Sequence, residues 1–111
     1  MKKYMILTIT SCLLSFSGSA FADILEDLVL EPGFNISIYA DNLDSPRQMA
    51  EGKNGTIFVG ERNGKILALR DLDNNGRVDL KIIVADGLTY STGVSLFNGD
   101  LYFSEISQIW K

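Results

Sequence analysis

The chain has 111 residues, of which 46% are apolar and 22% charged, with one cysteine, no histidine and a formal net charge of −4. That length allows at most one domain, and the apolar share is that of a globular protein rather than a disordered tail. Without histidine, neither Ser-His-Asp nor Cys-His catalysis, nor a histidine-ligated zinc site, can be assembled within this chain. The acidic balance argues against a nucleic-acid partner, which would need a basic surface.

The first 22 residues read as a secretory signal peptide. Lys2 and Lys3 give a positive start, Tyr4 to Phe16 is apolar apart from Thr and Ser, and Ala20-Phe21-Ala22 offers small residues where a signal peptidase reads. Cleavage is expected between Ala22 and Asp23, with a periplasmic or secreted product. The apolar core is about 13 residues, short of the roughly 20 that a membrane helix needs, so no membrane span is expected. A retained anchor is one alternative. A lipoprotein is another, because Ile9-Thr10-Ser11-Cys12 loosely resembles a lipobox. Processing after Ala22 removes Cys12, the single cysteine, and with it any disulfide. Residues 23–33 read as a linker with one helical turn, for which Asp23 would be the N-cap and Glu26 its partner.

From residue 34 onward the chain matches itself. Ala40-Asp41-Asn42-Leu43 recurs as Ala85-Asp86-Gly87-Leu88, an offset of 45. Upstream, Ile36–Tyr39 aligns with Lys81–Val84, and downstream Met49-Ala50 aligns with Val94-Ser95. With one residue deleted, Asn54-Gly55 aligns with Asn98-Gly99, and Ile57-Phe58-Val59-Gly60-Glu61 with Leu101-Tyr102-Phe103-Ser104-Glu105. One further deletion aligns Ile66 with Ile109.

Asn-Gly pairs at 54–55, 63–64, 75–76 and 98–99 punctuate short apolar runs, as hairpin turns demand. Strands are expected near 35–40, 47–51, 56–60, 65–70, 80–85, 93–97, 100–104 and 107–111. Four hairpin-linked strands per repeat of about 45 residues is the pattern of a β-propeller blade. The chain would then hold an outer strand at 34–40, a blade over 41–85 and a partial blade over 86–111. The alternative is an all-β sandwich or meander, which explains the strands but not the self-match. An outer strand that comes this early would complete the last blade of a closed ring. The expectation is therefore the amino-terminal piece of a longer protein, or the product of a truncated gene.

Two places carry candidate chemistry. Asp71-Leu72-Asp73-Asn74-Asn75-Gly76-Arg77-Val78-Asp79 matches positions 1, 3, 5, 6 and 9 of a calcium loop, with the Arg77 carbonyl at position 7. The bidentate Glu expected at position 12 is replaced by Ile82, so affinity should be weak. The bland alternative is a polar hairpin loop that turns on its own Asp and Asn side chains. Arg47, after Pro46 at the start of an innermost strand, is a candidate to hold a ligand carboxylate, against a plain solvated or structural role. Glu61 and Glu105 occupy equivalent positions, which favours a repeated structural duty such as accepting turn N–H groups. Asn35-Ile36-Ser37 and Asn54-Gly55-Thr56 match the glycosylation pattern. Tyr39, Phe58, Tyr90, Tyr102, Phe103 and Trp110 read as core rather than as a ligand platform.

Taken in order, Leu30 to Ala40, Pro46 to Ala50, Asn54 to Gly60, Gly64 to Leu69, the acidic run Arg70 to Asp79, Val84 to Leu88, Gly93-Val94, Gly99 to Tyr102 and Glu105-Ile106 resemble the glucose/sorbosone dehydrogenase family, in its sorbosone-dehydrogenase-like branch. The resemblance implies a secreted or periplasmic six-bladed β-propeller that uses pyrroloquinoline quinone and Ca²⁺ to oxidise sugars. In that family a histidine base takes the hydroxyl proton and hydride passes to the quinone. No catalytic residue can be carried over, since this chain has no His. Arg47 matches a recurrent family position without an assigned role.

Three readings follow. The chain is the amino-terminal portion of a quinone-dependent sugar dehydrogenase, inactive alone. Or it belongs to a non-catalytic secreted propeller that binds carbohydrate or protein. Or it is a truncated product without independent function. Exposed strand edges would favour pairing with another chain.

Overall fold

The computed structural model describes Leu25 and residues 27–111. The expected signal peptide, the Ala22–Asp23 cleavage point and the Asp23/Glu26 cap lie outside the described residues. The chain divides into two units, residues 1–36 and Ser37–Lys111. In the first, the described part is irregular apart from two turns: the Leu28 N–H donates to the Leu25 carbonyl at 3.4 Å, and the Phe34 N–H donates to the Glu31 carbonyl at 3.1 Å. Pro32 presets the first corner of the latter turn, and Gly33, at φ +94°, supplies the positive φ of its second corner.

The second unit is all-β. Strands β1 (Pro46–Glu51), β2 (Ile57–Glu61), β3 (Lys65–Arg70) and β4 (Leu80–Ala85) form an antiparallel sheet in the order β1-β2-β3-β4. Strands β5 (Val94–Phe97), β6 (Asp100–Ser104) and β7 (Ile109–Trp110) form a second, three-stranded antiparallel sheet in the order β5-β6-β7. The helical content of this unit is one 3₁₀ turn, Lys53–Gly55. Among the described residues no helix is long and apolar enough to cross a membrane.

Six of the eight expected strands form within about two residues of their expected bounds. A seventh, expected over 107–111, is confined to Ile109–Trp110. The strand expected over 35–40 is not one: the segment pairs with no strand. The reason is that a strand gains its backbone bonds from a neighbour, and here the Tyr39 carbonyl accepts a lone bond, from the Val78 N–H at 2.9 Å.

The self-match in the sequence reappears as a match in strand register. Met49 faces Val59, Ala50 faces Phe58 and Glu51 faces Ile57. In the second sheet Val94 faces Phe103, Ser95 faces Tyr102 and Leu96 faces Leu101. The next pair of strands agrees too. Gly60 and Val59 face Ile66 and Leu67, while Ser104 and Phe103 face Ile109 and Trp110. Left-handed backbone recurs at the aligned positions: Asn42 and Gly87, Ser45 and Tyr90, Asn54-Gly55 and Asn98-Gly99 all have positive φ. Ser45 and Tyr90 are not residues that adopt this region readily, so their agreement reflects a shared local path.

β3 is the centre of the core. Ile66, Leu67, Ala68 and Leu69 are all buried, which is how a strand covered on both faces must read. Leu67 and Leu69 join Val59 on one face, under Tyr39, Ala40, Leu43, Ile57 and Val78. Ile66 and Ala68 lie on the opposite face with their partners Gly60 and Phe58, and this face receives the second sheet. A Cβ placed on Gly60 would lie 3.4 Å from Ser91 Oγ and 3.5 Å from the Thr92 carbonyl, and one on Gly52 would lie 3.4 Å from Leu96 Cδ1. β1 and β5 are the strands of closest approach between the sheets.

The β2–β3 turn is locked to the loop before β5. The Leu88 N–H donates to the Gly64 carbonyl at 3.0 Å. Gly64 sits at φ +93°, and a Cβ there would collide with the Leu88 carbonyl. Arg62 lies over the Tyr90 ring at 4.6 Å, adding a cation–π contact of about 0.5–1 kcal/mol.

Gly64→Ala should therefore lose more stability than Gly76→Ala. Gly76 shares the positive φ, at +84°, but has nothing within 4 Å of a new Cβ. Urea unfolding is expected to give about 1 kcal/mol for Gly76→Ala, the conformational strain alone, and clearly more for Gly64→Ala. Equal losses would contradict the contact with Leu88.

Candidate functional site

The β3–β4 connection, Asp71–Asp79, brings together the acidic residues singled out from the sequence. One carboxylate oxygen each from Asp71, Asp73 and Asp79 lies within 4.8 Å of the others. The loop is shaped by its own side chains. Asp71 Oδ1 accepts the Asn75 N–H at 3.2 Å, and its Oδ2 accepts the Gly76 N–H at 2.8 Å. Asp73 Oδ1 accepts the Asn75 N–H at 3.1 Å, and Asn75 Oδ1 accepts the Arg77 N–H at 2.8 Å. Asp79 Oδ2 closes the far end by accepting the Leu72 N–H at 2.7 Å. Asn74 at φ +59° and Gly76 at φ +84° supply the bends.

Such a loop can turn without a metal, and it can also receive one. An ionised carboxylate offers about four lone-pair directions, so the two N–H bonds to Asp71 leave capacity unused. Three carboxylates in one small volume also repel one another. Among the described residues the ion pair at the loop, Arg77 to Asp41 at 4.0 Å, is between exposed groups, so it offsets little of that repulsion. Partial burial pushes the Asp71 carboxyl pKa up. Hydrogen bonds from the Gly76, Asn75 and Asn74 backbone and from Asp73 outweigh it and hold the group below the usual carboxylate range.

Arg47 occupies a β-bulge. Pro46 pairs with Glu61 and Gln48 with Gly60, so Arg47 is the extra residue at the start of β1. A bulge frees one side chain from the pleat and re-aims it. Arg47 is exposed, and among the described residues it has no ion-pair partner. It borders an open depression with Tyr39, Leu43, Met49 and Leu69, far more apolar than the acidic loop. The structure does not bring Arg47 together with the Asp71–Asp79 cluster into one described pocket.

Glu61 and Glu105 do the duty that their repetition predicts. Glu61, 3% exposed, accepts the Asp44 N–H at 2.7 Å. Glu105 accepts the Thr89 N–H at 2.6 Å. Asp44 and Thr89 are themselves aligned at the repeat offset. Glu105 also accepts from Gln108 Nε2 and Trp110 Nε1. Each glutamate ties the loop that enters its sheet to the end of its second strand. Of the aromatics expected in the core, Trp110 is exposed, at the end of the short β7, and Tyr90 lies in the loop before β5, under Arg62. Sequence reading missed this contact, because a lone Tyr between turns carries no periodic signal. It missed the bulge at Arg47 as well, for which Pro46 was the available hint.

Comparison with protein-family models, with curated proteins and with solved structures finds no match to this chain.

Glu61→Ala leaves the Asp44 N–H without its acceptor in a buried setting and should cost about 1–3 kcal/mol. Glu61→Gln keeps an acceptor oxygen and should lose less, as read from denaturant midpoints. Because folding lowers the Asp71 pKa, its contribution is full above the unfolded value of about 3.9 and is lost as pH falls through the lower folded value. Acid titration of wild type against Asp71→Asn should show the two stabilities converging below about pH 4. A difference that persists unchanged into strong acid would contradict the assignment.

Proposed function

We propose that residues 34–111 are two consecutive wedges of a secreted or periplasmic β-propeller of the glucose/sorbosone dehydrogenase kind, serving there as scaffold rather than as catalyst. The observation that carries this reading is the duplicated register, Met49–Val59 with Val94–Phe103 and Gly60–Ile66 with Ser104–Ile109. Side-by-side packing of the two sheets through their first strands supports it as well. A plain meander needs neither.

The resemblance implies pyrroloquinoline quinone, which when bound accepts the hydride of a sugar hydroxyl or hemiacetal carbon. The quinone carries three carboxylates, and this chain's fit to it is partial. Arg47, aimed by its bulge, can donate to one carboxylate. The histidine base that the resemblance implies has no counterpart here, so no catalytic residue is assigned to these wedges. The Asp71–Asp79 loop fits Ca²⁺ by its donor set, with carboxylates from Asp71, Asp73 and Asp79, the amide of Asn75 and the carbonyl of Arg77. Without a bidentate Glu its affinity should be of the order of 10⁻⁴–10⁻³ M.

A protein that holds these wedges in a closed ring is expected to reduce a redox dye with aldoses when given pyrroloquinoline quinone and Ca²⁺. The 111-residue chain is not. Silence of the ring across a sugar panel would remove the dehydrogenase reading and leave a carbohydrate- or protein-binding propeller. Calorimetry with millimolar Ca²⁺ should give a binding heat that weakens roughly tenfold in Asp73→Asn, because ligand charge sets affinity. Absence of heat in the wild-type chain eliminates the metal.

A further inference from the structure

The Asn-Gly pairs at 54–55, 63–64, 75–76 and 98–99 share a sequence but not a setting. Such a pair can react with itself. The glycine nitrogen attacks the asparagine Cγ, and the side-chain nitrogen leaves as ammonia, taking up the proton that the glycine gives up. Water then opens the cyclic imide at either carbonyl, to aspartate or to isoaspartate. Nothing is oxidised or reduced, and glycine leaves the approach open because it has no Cβ. The reaction needs a glycine N–H that is free of hydrogen bonds, an amide that is not anchored, and water.

Three pairs fail at least one of these conditions. The Gly64 N–H donates to the Glu61 carbonyl at 3.0 Å. Asn63 Nδ2 donates to Asp44 Oδ2 at 2.9 Å, and Asn63 Oδ1 accepts the Lys65 N–H at 3.2 Å. Gly64 is buried as well. The Gly76 N–H donates to Asp71 Oδ2 at 2.8 Å, Asn75 Nδ2 donates to Asp73 Oδ2 at 2.9 Å, and Asn75 Oδ1 accepts the Arg77 N–H at 2.8 Å. Gly55 closes the 3₁₀ turn Lys53–Gly55, which engages its N–H in an i→i+3 bond. Asn98-Gly99 meets every condition. It is the two-residue turn between β5 and β6, at φ +51° and +88°, the signs of a type I′ turn. The turn is flanked by the pair Phe97 and Asp100 and asks no bond of the Gly99 N–H. Among the described residues neither that N–H nor the Asn98 amide has a hydrogen-bond partner. Both residues are exposed, and nothing lies within 4 Å of a Cβ placed on Gly99.

We propose that Asn98 is a site of spontaneous deamidation, the first of the four to become aspartate and isoaspartate, and that the fold protects Asn63 and Asn75. Isoaspartate carries the main chain through its side-chain carbon and so lengthens the turn. A two-residue turn fixes hairpin register, so conversion loosens the Phe97–Asp100 pair and then Leu96–Leu101. Protection falls where conversion would do the most harm, at the acidic loop and at the Gly64–Leu88 meeting. The inference is independent of dehydrogenase activity and of the propeller reading.

The full 111-residue chain is incubated at mildly alkaline pH without added Ca²⁺ and sampled over time. Trypsin puts the pairs in separate peptides, residues 54–62, 63–65, 71–77 and 82–111, so mass spectrometry follows each conversion by itself. Asn98 is expected to lead Asn63 and Asn75 by roughly tenfold, since those must first open one or two hydrogen bonds, with Asn54 between. In urea the four rates should converge. Asp71→Ala removes the acceptor of the Gly76 N–H and should raise Asn75 towards the rate of Asn98 while Asn63 stays slow. Equal rates in the native chain, a lead by Asn63 or Asn75, a ranking that persists in urea, or an Asn75 that stays slow in Asp71→Ala would overturn the proposal.

Discussion

Burial of β3 on both faces is the constraint from which the rest follows. Ile66, Leu67, Ala68 and Leu69 have no polar atom to show to water on either side, so the first sheet is satisfied only when something lies against each face. Alternation along the strand divides the labour. The odd-numbered side is met by Tyr39, Ala40 and Leu43, and the even-numbered side by the second sheet. A one-residue slip would exchange the two sets, and so the Asn-Gly turns that fix the hairpin register are as much a part of the core as the leucines.

Electrostatics is subordinate to that packing. Among the described residues the ion pairs Arg77–Asp41 and Lys81–Asp41 are long, at 4.0 and 3.9 Å, and Lys111–Asp100 is short, at 2.8 Å, but all three join exposed or half-exposed groups, where such contacts add little. The carboxylates with structural effect are those that accept backbone N–H groups. Glu61 does this in a buried setting, and Asp71, Asp73 and Asp79 do it along a solvent-facing loop. The same loop shape serves a turn and a cation, because both need oxygen atoms converging on a small volume.

Much of the fold was legible in the sequence for a definite reason. Asn-Gly at 54–55 and 98–99 can only be read one way between apolar runs, and both pairs adopt positive φ. The glutamate at the end of β2 and β6 was legible from repetition alone. What was not legible depended on neighbours. Residues 35–40 have the composition of a strand, but a ladder needs repeated backbone bonds, and the segment makes the single one from the Val78 N–H to the Tyr39 carbonyl. Arg47 looked like an ordinary strand residue, and its status as a bulge arises from the unequal count between Pro46–Gln48 and Gly60–Glu61. The acidic loop announced its turn chemistry through its spacing, whereas the hydrogen bonds that lower the Asp71 pKa depend on the path of the Asn74–Gly76 backbone.

The meeting of Gly64 with the Leu88 carbonyl carries a consequence for how such a chain can vary. Two main-chain segments touch there without any side chain between them, so the pitch from one sheet to the next is set by peptide geometry. Side chains elsewhere in the junction can drift in size and polarity while the stacking angle stays put. Replacement of that one glycine would push the loop before β5 away from the β2–β3 turn and so shift the second sheet against the first.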